Sequence, residues 1–476
     1  MDMNLRRSKM IEKVKLNRES IEKEFAVKKD EEKKVRLTHA KVQSPYRIFP
    51  YSTKNNKISN FDAVLGNYSR SITDKGYTVF EKEELFRKIQ TKVTTDSIEK
   101  LNVIINELFF DENNQLVLSH PSFFNHLPEG DNAERKVGEF LSIIFSSENI
   151  TEGFQKAFEK QPENVLLRLI YECLPDLKQE HNKSGSYVKY MKEIVEVFEE
   201  DLLFLLKYED LLIKSFKNLL LYYYFFYTTQ VILNLDQLFK NSHDQVIPVY
   251  YNLEWEKRSK TRDSFKQGWK MISSKLPNLF SHINCTIMLN HVNGLNDYPV
   301  SYTSFKRSLQ ELTVEQQEKL KDHIEAWHND YKSYIGDVIW EQMPPLPFLE
   351  GESPLLREVR KLQHSISYQF KVSNRSRAAE GYYEGYEELA KTYFLKKSGS
   401  LGYTLNLTQD FVILLTRICI KDKEKLSLKE LFKELQRRGI YFDRDTRKQV
   451  VLLYERLNIL EKKSDSGDAQ YVKYIL

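Results

Sequence analysis

The sequence contains few cysteines and few glycines, and each shortage excludes a class of structure. Its 476 residues include three cysteines, Cys173, Cys285 and Cys419, which lie far apart and form no CxxC pair. Their odd number and wide spacing argue against a disulfide framework and against a zinc site, so we expect a cytoplasmic protein without a bound metal. The 16 glycines, set among many leucines, lysines and glutamates, favour helices over tightly turned sheets.

Known catalytic motifs are also lacking. The sequence has no GxxxxGK[ST] loop, no HExxH, no GxSxG and no HxE…CxxC arrangement. His323 and His328 share a helical pattern without a carboxylate or cysteine partner, and we expect both at the surface. We therefore predict no catalytic residues and no cofactor. The alternative is a nuclease with a degenerate acidic metal site, although we interpret the ExK match at Glu461, Lys462 and Lys463 as chance.

The chain has no large excess of charge of either sign, since its net charge is +4. Any nucleic-acid surface must therefore be local. The longest apolar run, LLLYYYFFYTTQVILNL at 219–235, approaches the roughly 20 residues that a membrane span needs. Thr228, Thr229, Gln230 and Asn234 interrupt it, so we predict a helix buried on all sides within the protein and no membrane contact.

Charge is dense at the N-terminus, where residues 1–37 contain 12 Lys or Arg and 8 Asp or Glu. Met10, Val14, Ile21 and Phe25 recur at spacings of four and seven, which indicates a thin apolar stripe. We favour a solvated helix or an arm. The alternative is a helix that docks on a partner protein.

Helical periodicity and one cluster of prolines predict the organisation of the chain. The segment MPPLPFLEGESP holds four of the 13 prolines, and proline biases its predecessor away from helix. The predicted order is a charged helix or arm at 1–37, a mainly helical body at 38–342 with a short β segment near 246–292, a linker at 343–354, connecting helices at 355–401, and a separate module at 402–476.

The C-terminal module carries consistent local signals. An apolar helix, FVILLTRICI, comes first, and Ser427 with Glu430 forms a capping box for a second helix. Gly439 ends that helix, and Asp443 is a good N-cap for a third. A hairpin around Gly467 follows. Three helices and a hairpin predict a winged helix, so the fold class is mainly α and multi-domain, with a small mixed α/β segment and a C-terminal winged-helix domain.

The third helix of this module predicts a DNA-reading surface. Its core face comprises Thr446, Val450, Leu453, Tyr454 and Leu457. Arg444 and Lys448 project from the opposite side, with Arg447 on a flank, and helix-turn-helix proteins read DNA with the N-terminal residues of such a helix. In the predicted wing, DNA phosphates would be held by Lys462, Lys463 and Lys473.

Two observations leave a protein-docking role open for the same module. Residues 427–476 carry 11 Lys or Arg against 8 Asp or Glu, which is a small excess. Glu455 also shares the face of Arg444 and Lys448. The winged helix is therefore interpreted as a DNA-binding module, with partner docking or dimerisation as the alternative.

A second basic and aromatic stretch runs from Tyr250 to Lys270. Cations mixed with aromatic side chains are typical of single-stranded nucleic-acid binding. The alternative is an amphipathic helix with Phe265 and Trp269 in the core. The residues of this patch that would bind nucleic acid are Lys257, Arg258, Lys260, Arg262, Trp255 and Trp269.

Whole stretches of the sequence resemble one known family. The segments LGYTLNLTQDFVILLTRICI and DRDTRKQVVLLYERLNILEKKSDSGDAQYVKYIL, within about 390–476, are similar to the C-terminus of the G component (DptG) of bacterial phosphorothioation-dependent DNA restriction systems. YYNLEWEKRSKTRDSFKQGWK and LLLYYYFFYTTQ, within 215–290, also resemble it. The resemblance implies a non-catalytic DNA-binding or scaffold subunit of an anti-phage complex that restricts DNA lacking the sulfur modification.

The same resemblance implies partners. These are double-stranded DNA and the F and H components of the system, which carry ATPase- or helicase-like functions, so a hetero-oligomeric complex is expected. The family supplies no catalytic residues to assign here. A nuclease subunit and a pure protein-interaction scaffold remain the alternatives.

Overall fold

The computed structural model describes residues 14–29, 35–39, 47–79, 81–93, 97–112, 114–180, 187–241, 243–295, 301–462 and 470–474. These residues are mainly helical with small sheets, as predicted. The α-helices are α1 (Arg18–Glu24), α2 (Phe61–Ile72), α3 (Lys82–Lys92), α4 (Ile98–Phe109), α5 (Asn132–Ile144), α6 (Glu148–Glu159), α7 (Val165–Cys173), α8 (Lys192–Leu206), α9 (Glu209–Gln237), α10 (Asp263–Lys266), α11 (Trp269–Ser273), α12 (Leu279–Leu289), α13 (Tyr302–Ser308), α14 (Val314–Tyr334), α15 (Pro354–Val372), α16 (Ser376–Tyr393), α17 (Gln409–Ile420), α18 (Leu428–Arg437) and α19 (Arg444–Arg456).

The strands are short and form several two- and three-stranded sheets. They are β1 (Lys15–Leu16), β2 (Lys28–Lys29), β3 (Val35–Arg36), β4 (Val249–Tyr250), β5 (Asn252–Leu253), β6 (Val292–Asn293), β7 (Leu395–Lys397), β8 (Tyr403–Leu407), β9 (Lys425–Ser427), β10 (Ile440–Tyr441), β11 (Leu460–Lys462) and β12 (Gln470–Lys473).

The long apolar run lies within α9 and is buried along its whole length, as predicted. Its polar atoms are satisfied inside the protein, as buried polar groups require. Gln230 Nε2 donates to the carbonyl of Ile247 (2.9 Å), and Asn234 Nδ2 donates to that of Gln245 (2.9 Å). Among the described residues, no helix has the length and apolar character to cross a membrane.

The N-terminal apolar stripe packs on the chain itself. Val14, Ile21 and Phe25 are buried, and β1 pairs antiparallel with β6. Met10 lies outside the described residues. The expectation of a solvated helix is therefore wrong for α1. The physical reason is that burial of the stripe removes apolar surface from water.

Another sequence expectation fails at His328. Its ring is buried between Glu358 Oε1 (3.1 Å from Nδ1) and the hydroxyl of Ser365 (2.8 Å from Nε2). Both partners lie on α15, far along the chain, so a search for local partners could not find them. His323, by contrast, is exposed as predicted.

The central β segment is split between two sheets. β4 runs parallel to β10, and β5 runs parallel to β8, so both central strands pair with later parts of the chain. The stretch that follows is not one amphipathic helix, because α10 and α11 are separated at Gly268. A Cβ at that position would collide with the carbonyl oxygens of Ser264 and Tyr250.

The proline-rich segment lies against α15 and forms neither helix nor strand over 343–353. His364 Nε2 lies 2.8 Å from the carbonyl oxygen of Pro344, and Arg360 Nη2 donates to that of Pro347 (3.1 Å). One cluster of buried apolar residues extends from Val14 to Val472. The elements before and after the segment therefore share one core.

In the C-terminal module the elements follow in the order α17, β9, α18, β10, α19, β11 and β12. The three helices and the pairing of the last two strands were predicted, whereas β9 and β10 were not, and Gly467 lies outside the described residues. β12 lies between β11 and β9 in an antiparallel sheet. The hydroxyl of Ser427 accepts the N–H of Glu430 (3.2 Å) and donates to its carboxylate (2.7 Å). Gly439 follows α18 with a positive φ of 78°, and Asp443 caps α19. The predicted helix boundaries are confirmed at these positions.

Candidate nucleic-acid interface

Two basic side chains stand free at the start of α19. Arg444 and Lys448 are exposed one turn apart, and neither has a carboxylate within ion-pair distance among the described residues. The opposite face is fixed by buried Thr446, Val450 and Leu453, as the sequence predicts. Because the core face sets the rotation of the helix, it also directs the two cations to solvent.

Arg447 is exposed but held in place. Its guanidinium lies over the ring of Phe432 on α18, 5.2 Å from the centroid, and its Nε donates to the carbonyl of Phe442 (3.1 Å). A cation over an aromatic ring is attracted to the ring face. Arg447 therefore lies between α18 and α19 in a fixed direction.

The adjacent helix α18 adds two cations that sequence reasoning missed. Lys429 and Lys433 are exposed at i and i+4, and neither has an ion-pair partner among the described residues. Leu431 and Leu435 bury the other side of this helix. The signal was present in the sequence as two lysines opposite an apolar stripe.

Lys462 and Lys473, two of the predicted wing lysines, do not share one surface. Lys462 forms an ion pair with Glu455 of α19 (2.6 Å). Lys473 lies opposite Lys425 of β9, whereas its neighbour Val472 is buried. Since Leu460 pairs with Val472, alternation along the strands places Lys462 and Lys473 on opposite faces of the sheet. Lys463 lies outside the described residues.

The ExK match forms no metal site in the described part of the chain. The carboxylate of Glu461 pairs with Lys425 Nζ (3.0 Å), on the outward face of the sheet. Across the residues that the structure describes, no group of three or more His, Cys, Asp or Glu side chains is arranged to hold a metal ion.

The side chain of Arg262 binds Asp443, the N-cap residue of α19. Its Nε and Nη2 donate to the two carboxylate oxygens of Asp443 (3.0 and 2.6 Å), and Nη2 also donates to the hydroxyl of Thr446 (2.6 Å). The side chains of Arg262 and Asp443 are only 10% and 8% exposed. Bidentate pairing of this kind fixes geometry as well as charge. Arg262 is thus a link within the protein, and its guanidinium is not presented to solvent.

A second carboxylate completes this buried cluster. Glu256 Oε1 accepts the hydroxyl of Thr446 (2.9 Å) and the N–H of Leu253 (3.0 Å). Burial raises the pKa of Glu256, and the nearby charge of Arg262 opposes that rise. Burial would also raise the pKa of Asp443, but hydrogen bonds from Arg262 and the N–H of Thr446 outweigh it and hold that pKa well below its usual range.

The residues from Glu254 to Arg262 are here called the anchored loop, in which Glu256 is buried, Arg258 and Arg262 are partly buried, and the residues between them are exposed. Arg258 donates to the side chain of Asn406 (2.6 Å) and to the carbonyl of Glu254 (3.1 Å). Lys257 and Lys260 are exposed. The loop is therefore fixed by its buried side chains, while its lysines point to solvent.

The aromatic residues of the central patch are mostly used in packing. Trp269 is buried and stacks on Tyr386, with an interplanar angle of 24°, as the core alternative predicts. Trp255 is 38% exposed, but the guanidinium of Arg456 lies 5.9 Å from its ring centroid. Phe265 carries Lys270 over its ring (5.3 Å).

The two candidate patches therefore meet at one place. Arg262, from the central segment, forms a bidentate ion pair with Asp443, which immediately precedes Arg444. The exposed lysines of the anchored loop and the cations of α19 flank this contact. The chain matches no protein-family model, and no curated protein matches it.

Proposed function

We propose that residues 402–476 form a winged helix that binds double-stranded DNA. The order of elements supports this, because a winged helix has a strand between its first two helices and a hairpin after the third. Here β9 follows α17 and pairs with β12 of the hairpin. In such modules the third helix enters the major groove, and α19 occupies that position.

The single observation that carries the proposal is the pair Arg444 and Lys448. Both are exposed at the N-terminal end of α19, where helices of this kind contact base edges and phosphates. Lys429 and Lys433 add two exposed cations on the adjoining helix α18. Phosphate contacts by these cations would supply most of the affinity, since release of counterions dominates binding to duplex DNA.

We further propose that the chain is a non-catalytic subunit of a bacterial restriction complex that acts on DNA lacking phosphorothioates. The resemblance to the G component of these systems supports this. In this scheme the ATPase- and helicase-like F and H components carry out energy use and strand processing. Co-expression with tagged F and H components, followed by size-exclusion chromatography, tests the assembly. Separate elution of this chain would contradict it.

Duplex binding across a KCl series tests the DNA proposal. Each lost phosphate contact should flatten the plot of log affinity against log salt by about 0.9. We expect Arg444→Gln/Lys448→Gln to flatten it by up to about 1.8. The matched control is Lys100→Gln/Lys371→Gln, which removes two exposed cations elsewhere and should leave the slope unchanged. Equal slopes for both double variants would contradict the proposal.

One observation favours protein docking as a second candidate function. Leu452 is 47% exposed on the same face of α19 as Arg444 and Lys448. An exposed leucine beside the neutralised pair Lys462–Glu455 suits a protein contact better than a phosphate contact. Leu452→Ser should then weaken assembly with the F and H components while leaving duplex affinity intact. The reverse result would assign this face to DNA alone.

A further inference from the structure

We infer that the anchored loop, residues 254–262, is a second contact element for the phosphate backbone of duplex DNA, and that Arg262 positions it against α19. This inference rests on the proposed function of α19. It extends the DNA-binding surface beyond the C-terminal module to a segment that lies 181 residues earlier in the chain, the separation of Arg262 and Asp443.

The loop is built to present its lysines from a fixed backbone. Three side chains of the loop bond to the later chain: Glu256 and Arg262 to Thr446 and Asp443 at the N-terminus of α19, and Arg258 to Asn406 on β8. Lys257 and Lys260, placed between these anchors, are exposed and have no ion-pair partner among the described residues. A backbone held at three points loses little further entropy when its lysines bind a ligand.

The loop is also next to the first turn of α19. Arg262 Nη1 donates to the carbonyl of Lys257 (2.7 Å), while its other nitrogens hold Asp443. The guanidinium of Arg262 therefore connects the backbone of Lys257 to Asp443, the residue before Arg444. A phosphate strand that passes the N-terminus of α19 would pass the loop as well.

The chemistry of the loop favours duplex phosphates over single-stranded bases. Stacking proteins hold unpaired bases on accessible aromatic rings. In this segment Trp269 is buried and Trp255 is paired with Arg456. Trp255 remains 38% exposed, and the exposed cations of the loop are Lys257 and Lys260. Their ammonium groups bind phosphate as point charges without reading sequence.

The first test is Lys257→Gln/Lys260→Gln in the full chain, with the same duplex and KCl series. We expect the salt slope to flatten by up to about 1.8, with the same loss on unrelated duplex sequences. An unchanged slope, while Arg444→Gln/Lys448→Gln still flattens it, would overturn the inference and leave the proposed function standing. An unchanged slope for both double variants would overturn both. A loss confined to single-stranded DNA would also overturn the inference.

The second test asks whether Arg262 acts by position. In an Arg262→Lys background, which keeps the charge and loses the bidentate contact, Lys257→Gln/Lys260→Gln should change the slope by less than half as much as in the wild type. Circular dichroism establishes that the background variant is folded, and Asp443→Asn provides a second background if it is not. If Lys257→Gln/Lys260→Gln changes the salt slope as much in the Arg262→Lys background as in the wild type, Arg262 does not position the loop.

Discussion

Arg438 and Asp201 form an ion pair with no exposure to solvent, between the end of α18 and the middle of α8. The guanidinium donates twice to the carboxylate, with distances of 2.7 and 2.6 Å. Tyr223 of α9 adds a third donor to Asp201 (2.6 Å). The C-terminal module is thereby attached to the helical body through a buried, fully hydrogen-bonded contact.

Removal of Arg438 should therefore be far more damaging than removal of its neighbour. Arg438→Ala removes the bidentate partner of the buried Asp201 carboxylate, which retains only Lys421 Nζ (3.2 Å) and the hydroxyl of Tyr223 (2.6 Å). We expect this change to lower the free energy of unfolding by about 3 kcal/mol, the lower end of the range for breaking a buried ion pair. Arg437 pairs with Glu200 at the surface (2.7 Å), and Arg437→Ala should cost less than about 1 kcal/mol. Urea unfolding of the two variants measures the difference. Equal losses would contradict the assigned role of the buried pair.

Gly439 should be intolerant of a side chain for two reasons. It has a φ of +78°, and a Cβ there would collide with the ring of Phe226. We expect Gly439→Ala to lower the midpoint of thermal unfolding more than Gly399→Ala. Gly399 also has a positive φ, of 50°, but no atom lies within 4 Å of its Cβ position. The Gly399→Ala variant therefore measures only the conformational cost of an L-residue at positive φ, about 1 kcal/mol.

The caps of α18 and α19 should differ in strength. Ser427→Ala removes a hydroxyl cap at a partly buried site and should cost about 1 kcal/mol. Asp443→Ala removes a cap and also leaves Arg262 without its carboxylate, so the loss should be larger. Asp443→Asn retains a capping oxygen and should fall between the two. Chemical denaturation gives the order, and a smaller loss for Asp443→Ala than for Ser427→Ala would refute the link between Arg262 and α19.

Stability should fall with acidification because of buried histidines. Burial lowers the pKa of His282 and of His126 to about 4, and that of His39 to about 3. The unfolded chain binds protons on these rings below about pH 6.5, whereas the folded chain does not. Stability is therefore fully present above about pH 6.5 and is lost as the pH falls toward the folded values, by on the order of 2 kcal/mol for His282 alone by about pH 5.

Substitution of His282 tests this dependence. His282→Gln should weaken the dependence of unfolding free energy on pH between about 7 and 5. His323→Gln, at an exposed position, should leave it as in the wild type. A pH dependence that is identical in His282→Gln and wild type would contradict the assignment.

Short-range signals in the sequence predicted much of this fold. The caps at Ser427 and Asp443 and the stop at Gly439 depend on hydrogen bonds within a few residues, so a linear pattern carries them. The burial of α9 also followed from composition, because a long apolar run with scattered small polar groups suits a protein interior.

Long-range contacts were beyond such patterns. Arg438 fits the last-turn cation that complements a helix dipole, yet its charge is used by Asp201, 237 residues away. Arg262 was similarly predicted to belong to a basic patch, whereas in the structure its charge is paired with Asp443. The sequence predicted the two patches separately, and the ion pair of Arg262 with Asp443, beside the parallel pairing of β4 with β10, shows that they adjoin.

The most direct test of the central claim is affinity cleavage from the exposed face of α19. Cys173, Cys285 and Cys419 are all buried, so Lys448→Cys can be labelled selectively with iron–EDTA. We predict scission of bound duplex DNA next to the labelled helix, and none from the same label at Lys100→Cys. Strong cleavage from Lys100→Cys without cleavage from Lys448→Cys would contradict the claim that α19 faces DNA.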